Sequence, residues 1–494
     1  MLPNVSNSPL VEADGAPLAA DQPLSTRRTG LTLANNDWAP GVACLVLDVL
    51  GWILIYGTIS YLRRDLFFVG PFEFLLVDVI QVVVLCQALF MIGGYDRNID
   101  KRSLTYTAEH ILAVIGAAAV SSLILYSAAV YDGSIKPSRG VVLLAFLVFL
   151  PWSMLYRRLL HGFIAESTAS RAFLVIGSGE LAARFYEAYR QSPNRQRLEF
   201  VDSDRSRVGQ HIAGSASPVI EGDLESKLAN LNRRYSGVVL AERLDHLDSD
   251  LLERLVRTQF QRTRVYTLES FYEAHWRHVP VYSIDPVWPL QMGFQLAQNS
   301  PYHYLKRSFD IALSSALLVV SFPLMVLIAV AVWLGSGRPV FFQQARVGRE
   351  GEAFTAYKFR TMRSNSANED TDIYTRENDP RITPLGRSLR KLRLDELPQL
   401  WNVLRGDMSL IGPRAEWTKC AERYEQKIPF YHFRHLVKPG ITGWAQVNYP
   451  YGESDEDAIE KLKYDLYYIR HYSLKLDAMI VLKTVHTVLF GKGR

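Results

Sequence analysis

The chain has 494 residues, 48% of them apolar, and a formal charge of +5. It is too long for one ordinary core, so two or three separately packed units are expected. Three cysteines, Cys44, Cys86 and Cys420, exclude a disulfide framework or a thiolate metal site, and no basic arm of the nucleic-acid-binding kind is present.

Residues 1–37 are polar and rich in Pro, Ala and Ser without an apolar h-region, which reads as a disordered leader rather than a signal peptide. Residues 38–165 carry four apolar stretches, near 41–61, 74–95, 108–131 and 140–161, each long enough to cross a ~30 Å hydrocarbon core. A four-helix transmembrane bundle is expected. Asp48 and Asp78 fall inside two of these stretches, where a carboxylate is costly; helix-packing contacts are the favoured role and an ion path the alternative.

Residues 170–274 change to short apolar strands alternating with helices, the pattern of a small parallel, Rossmann-like α/β unit. Its first turn, Gly177-Ser178-Gly179-Glu180-Leu181-Ala182, fits a dinucleotide fingerprint, with Gly177 and Gly179 as cofactor contacts and Asp202 in reach of a ribose. The competing reading is a strand-to-helix turn that kept its glycines for geometry alone.

Residues 275–304 are Pro- and aromatic-rich without periodicity and read as a surface linker. Phe309–Leu334 is again apolar enough to span, but Pro323 interrupts it and Ser321 lies just before. A Pro-kinked crossing and a bend that returns to the starting face both satisfy this pattern; hydropathy favours the crossing.

From Pro339 on the chain turns basic. Lys358, Arg360, Arg381, Arg387 and Arg414 supply the cations that a diphosphate substrate needs, although anionic lipid heads select the same composition. Among them lies Leu394-Asp395-Glu396-Leu397-Pro398-Gln399-Leu400. Pro398 belongs in a helix's first turn, which predicts Asp395 at the N-cap and Glu396 just inside. A carboxylate kept ionised there is a competent nucleophile toward phosphorus; taken alone, the heptapeptide reads equally as a plain capped helix start, which is the competing reading.

Seven blocks then follow in order: Lys306-Arg307-Ser308-Phe309-Asp310, Pro339-Val340-Phe341-Phe342 with Arg346-Val347-Gly348, Tyr357-Lys358-Phe359-Arg360-Thr361-Met362, Arg381-Ile382-Thr383-Pro384-Leu385-Gly386-Arg387, Asp395-Glu396-Leu397-Pro398-Gln399-Leu400, Gly406-Asp407-Met408-Ser409-Leu410-Ile411-Gly412-Pro413-Arg414 and Pro439-Gly440-Ile441-Thr442-Gly443-Trp444. Together they resemble the bacterial sugar transferase family, the monotopic phosphoglycosyl transferases. The bundle and α/β unit resemble its large members, and the tail around Lys463-Tyr464-Asp465-Leu466-Tyr467-Tyr468 its exopolysaccharide-associated branch.

The resemblance implies a mainly helical catalytic domain over 305–494, on the cytoplasmic face of a bacterial inner membrane, with 309–334 a re-entrant helix bent at Ser321 and Pro323. It implies an Asp395–Glu396 dyad with Mg²⁺, and transfer of a hexose 1-phosphate from a UDP-sugar to polyprenyl phosphate through an aspartyl intermediate. Lys358, Arg360, Arg381, Arg387, Arg414, Thr442 and Gly443 are the expected substrate contacts. Membrane lipid is a partner and a second copy of the chain a candidate one; the sugar is not specified. Two departures stand out: Phe322 separates Ser321 from Pro323, and Ala415 follows Arg414 where the family often has proline.

Two other classes compete. Membrane-bound NAD-dependent nucleotide-sugar epimerases or dehydratases share the layout and need a Tyr-x-x-x-Lys pair, which Tyr302 and Lys306 match in spacing. A non-enzymatic scaffold of the polysaccharide machinery is the other. Because every block lies after residue 305, a chain starting near Ser300 is expected to keep the catalytic apparatus.

Overall fold

The computed structural model describes residues 38–489, apart from 65–71, 132–137, 364–378 and shorter gaps elsewhere; the expected leader lies outside them. Helices α1 (Ala39–Arg64), α2 (Phe72–Met91), α3 (Leu104–Ala128) and α4 (Arg139–Ala169) form the expected bundle. Of these α1, α3 and α4 are long and apolar enough to cross a membrane, as is α9 (Tyr302–Ser336) later in the chain. Trp52, Leu85, Leu89, Val114, Phe146 and Phe149 fill the space between the four. Asp48 is fully buried and accepts from Arg157 Nη1 at 2.9 Å, Tyr95 Oη at 2.8 Å and Tyr156 Oη. It therefore fastens α1 to α4, the helix-packing role; the Asp78 side chain lies outside the described residues.

The α/β unit is a five-stranded parallel sheet in the order β3-β2-β1-β4-β5. Its strands are β1 (Ala172–Ile176), β2 (Arg197–Val201), β3 (Ile220–Glu221), β4 (Tyr235–Leu240) and β5 (Val265–Thr267). β1 is buried along its whole length, as a central parallel strand covered on both faces must be. Helices α5 (Glu180–Gln191), α6 (Leu224–Ala229) and α7 (Ser249–Phe260) lie between strands, and α8 (Leu268–Trp276) follows β5.

After α9 comes an antiparallel hairpin, β6 (Phe341–Val347) with β7 (Ala353–Phe359), then α10 (Pro384–Lys391) and α11 (Gln399–Arg405). β8 (Ser409–Ile411) pairs in parallel with β9 (Gly440–Thr442) across α12 (Thr418–Lys427). Short α13 (Trp444–Asn448), then α14 (Asp455–Arg470) and α15 (Leu474–Leu489), complete the chain. α15 ties this unit to the bundle, with Lys483 3.6 Å from Glu109 of α3 and Leu482 packed on the bundle core.

The stretch expected to be a surface linker is instead built into the core of the C-terminal unit. Val279, Val281, Ile284, Trp288, Phe294 and Ala297 pack with Tyr431, Leu462, Leu466 and Ile480, and Arg470 lies 4.8 Å over the Trp288 ring. These apolar residues show no period because short 3₁₀ turns carry them rather than helix or strand. A chain starting at Ser300 loses that packing, and losing Trp288 and Phe294 alone exceeds the ~3–5 kcal/mol of one aromatic truncation. Thermal unfolding in detergent should show residues 300–494 melting far below residues 275–494; equal melting points would show that the segment is dispensable.

Helix α9 continues through Pro323. The Ser321 hydroxyl donates to Met325 Sδ at 3.6 Å, not to the carbonyl that proline leaves without its usual donor.

Candidate active site

Thr383 caps α10 by accepting from the Gly386 amide at 2.9 Å, with Pro384 in the first turn. The helix ends at Leu392, and Arg393 then adopts a left-handed backbone (φ 54), a conformation costing a non-glycine residue about 1–3 kcal/mol and common at functional turns. That reversal leads directly into a 3₁₀ turn, Leu394–Glu396. Leu394 and Leu397 pack beside Ile328, Val332, Phe359 and Leu389, so the turn is pinned to α9 and β7 from both sides.

Asp395 is consequently not a helix N-cap. Pro398 sits one residue before α11 and makes no side-chain cap, and the dyad occupies a separate turn upstream. A proline at the junction has no N–H to carry one helix through both segments.

The two carboxylates are 8% and 6% exposed and have opposite surroundings. Glu396 Oε1 accepts from Lys358 Nζ at 2.8 Å and Arg414 Nη2 at 3.0 Å, while Arg393 Nη1 stands 3.7 Å from Oε2. Burial alone would raise its pKa, but Arg414, Lys358 and Arg393 outweigh burial and hold it well below the usual range. Burial lowers Lys358 to about 8 despite its Glu396 partner. Asp395 is pushed upward, first by burial and then by the neighbouring Glu396 charge. Among the described residues no side chain donates a hydrogen bond to it, and the charges of Lys358, Arg390 and Arg414 only partly offset the two upward effects.

The remaining expected contacts divide. Arg360 is committed to the end of α9, donating to the Gly337 carbonyl at 2.6 Å, the Arg338 carbonyl at 2.9 Å and the Ser336 carbonyl. Arg381 forms a two-pronged pair with Asp379, Nη2 to Oδ2 at 2.6 Å and Nε to Oδ1 at 3.0 Å. Arg387 is exposed on α10. The Thr442 hydroxyl meets the Thr484 hydroxyl of α15 at 2.7 Å. Gly443 is spatially required, since a Cβ there would lie 2.1 Å from the Gly412 carbonyl oxygen. Arg390, which the motif blocks did not single out, donates to Thr361 Oγ1 at 3.0 Å and is among the cations acting on Asp395. Its place one turn before the dyad was the available signal.

In the α/β unit Gly177 takes a positive φ of 105, as the fingerprint turn requires. Asp202, however, is 6% exposed, accepts from the Ser178 hydroxyl of the fingerprint turn and from the Asp204 amide of its own loop at 2.8 Å, and is thereby already engaged. Tyr302 and Lys306 both end on Asp477 Oδ2; they anchor α9 to α15 and do not form a proton-handling pair.

Comparison with known proteins places these features in context. The family described as Bacterial sugar transferase matches residues 301–491. The chain is 40% identical over 260 residues to the UDP-N-acetylgalactosamine-undecaprenyl-phosphate N-acetylgalactosaminephosphotransferase of Aeromonas hydrophila, covering 53% of this chain and 60% of that protein. It is 45% identical over 210 residues to the UDP-glucose:undecaprenyl-phosphate glucose-1-phosphate transferase of Escherichia coli (strain K12), covering 42% and 44%. These two matches span about half the length of the relatives. A longer one, 37% identical over 345 residues, covers 65% of this chain and 68% of the undecaprenyl-phosphate galactose phosphotransferase of Salmonella typhimurium.

Proposed function

Because the chain belongs to the bacterial sugar transferase family, we propose that it transfers a hexose 1-phosphate from a UDP-sugar to polyprenyl phosphate, releasing UMP, as the first membrane step of exopolysaccharide synthesis. The observation that carries this reading is the asymmetry of the dyad: a buried Asp395 to which no side chain among the described residues donates, beside a Glu396 fixed by Lys358 and Arg414.

In this mechanism an Asp395 carboxylate oxygen attacks the phosphorus nearest the sugar. The P–O bond of the diphosphate breaks and UMP departs with its electron pair, leaving a sugar-phosphoryl aspartate. A polyprenyl phosphate oxygen then attacks the same phosphorus, the acyl-phosphate bond breaks, and Asp395 is regenerated. Arg414 and Lys358 favour the accumulating phosphate charge in a low-dielectric site. The carboxylates also fit Mg²⁺, which takes one or two carboxylates plus substrate phosphates rather than an all-protein cage: among the described residues no side chain donates a hydrogen bond to Asp395, and Glu396 Oε2 has only Arg393 Nη1 at 3.7 Å. Asp395 and Glu396 would hold the ion, which would neutralise diphosphate charge.

The three relatives are named for three different sugars. Purified protein in lipid nanodiscs with undecaprenyl phosphate should therefore be offered UDP-glucose, UDP-galactose and UDP-N-acetylgalactosamine, and UMP followed. UMP release from at least one, dependent on the lipid acceptor over multiple turnovers, is expected; none from a wider panel would sink the proposal.

In the same reading α9 is re-entrant and the catalytic unit is cytoplasmic. A straight helix would set Arg307 and Ile328 about 31 Å apart, against about 10 Å for seven-residue α11. Yet Arg307 donates to the Val403 and Leu404 carbonyls at the end of α11, at 2.6 and 2.8 Å, while Ile328 clusters with Leu397 just before its start. These contacts support a helix whose two arms return to one face, with Val319 and Val320, 75% and 78% exposed, near its apolar tip. Single cysteines at Ser308 and Ser336, in a background lacking Cys44, Cys86 and Cys420, should both resist a membrane-impermeant thiol reagent in intact cells and label after permeabilisation. Labelling of Ser336→Cys alone in intact cells would establish a full crossing.

A further inference from the structure

The tail motif Tyr464-Asp465-Leu466-Tyr467-Tyr468 has no part in the mechanism above, although four of its five residues are tyrosine or aspartate. On α14 Asp465 and Tyr468 stand three residues apart and share a face. Asp465 is 1% exposed, and its Oδ2 accepts from Arg434 Nη2 at 2.9 Å. The same Arg434 nitrogen donates to the main-chain carbonyl of Arg414 at 3.0 Å, and Arg434 Nη1 lies 3.5 Å from Glu416. Tyr468 Oη, at the other end of the motif, approaches the Ile411 carbonyl at 3.3 Å and donates to Asp477 Oδ1 at 2.8 Å. Ile411 and Arg414 bound one four-residue segment, whose last side chain holds Glu396.

We propose that Arg434, oriented by Asp465, is a positioning residue that sets the Arg414 guanidinium against Glu396 and the substrate diphosphate. This rests on the reading of Arg414 given above. The physical case has two parts. Arg434 is 4% exposed, and a planar guanidinium can bond a carboxylate and a carbonyl at once in a fixed fork, so the two acceptors are held in one geometry. The other oxygen of Asp465, Oδ1, is buried without a hydrogen-bond partner among the described residues. Its charge therefore leans on Arg434, and the arginine cannot swing away to another acceptor without stranding a buried carboxylate. A displacement of about 1 Å at Arg414 is enough to cost roughly 10²-fold in rate.

The test is a double-mutant cycle on the full chain in nanodiscs, reading kcat, KM for the UDP-sugar and melting temperature. Arg414→Gln should lower kcat about 10²-fold, and Arg434→Gln about 10-fold or more. In the Arg414→Gln background the Arg434 substitution should lower kcat little further, while lowering the melting temperature as much as it does alone. Asp465→Asn, which keeps shape and removes only charge, should reproduce the kcat loss in milder form and keeps the test readable if Arg434→Gln fails to fold. Multiplicative losses in the double variant, or a lower melting temperature with unchanged kcat, would overturn the positioning role. Full activity of Arg414→Gln itself would instead refute the phosphate role of Arg414 on which the proposal stands.

Discussion

Asp395→Asn is expected to eliminate UMP release while leaving the protein folded, membrane-bound and at least as thermally stable as the parent. The substitution changes one atom and no appreciable volume, but an amide cannot open the diphosphate. Loss of a nucleophile can cost about 10⁶-fold in kcat, so turnover above about a thousandth of the parent rate would remove Asp395 from that role. The stability half follows from its surroundings. Burial and the adjacent Glu396 both oppose the charged form of Asp395, and among the described residues no hydrogen bond offsets them. A neutral isostere relieves that opposition, so the melting point should hold or rise, as is common where a strained catalytic group is removed. A variant that loses activity together with several degrees of melting temperature would point to a structural carboxylate.

The elements that could be read from sequence were those whose signal is local. The length of four apolar stretches placed the bundle, and alternation of short strands with helices placed the five strands of the parallel sheet. What could not be read were pairings between distant residues. Nothing in the composition of 275–304 says that Val279 and Trp288 enter the core of a helix nearly two hundred residues away, because irregular turns leave no period to detect. The arginines show the same limit: side by side in sequence, Arg360, Arg381 and Arg414 look alike as phosphate ligands, yet Arg360 closes the end of α9, Arg381 is held by Asp379, and Arg414 alone meets the dyad. Asp395 was found through its motif, whereas its N-cap assignment failed because Pro398 divides two short turns that sequence rules read as one helix.

Glu396→Gln should behave differently from its neighbour's substitution, and the contrast tests whether the two carboxylates divide their labour. Glu396 is the counter-charge for Lys358, 16% exposed at its side chain, and for Arg414, 26% exposed. Removing the carboxylate leaves Lys358 desolvated without the counter-charge that Glu396 supplies, and breaking a buried ion pair typically costs about 3–5 kcal/mol. A glutamine can still accept one hydrogen bond at Oε1, but it offers no negative charge, and Lys358 already loses its proton more readily than an exposed lysine because of burial. With the carboxylate gone that tendency increases, so the variant should carry a neutral Lys358 at neutral pH and present one cation fewer to the diphosphate. The expected outcome is a joint loss: a clearly lower melting temperature and a higher KM for the UDP-sugar, with residual kcat above that of Asp395→Asn. Lys358→Met in the Glu396→Gln background should restore part of the stability, since it replaces a buried polar amine that has lost its acceptor by an apolar chain of similar length, without restoring turnover. A Glu396→Gln protein as stable as the parent would show that the cations around it have other anchors; one as inactive as Asp395→Asn with unchanged KM would mean that Glu396 takes part in the chemical step itself.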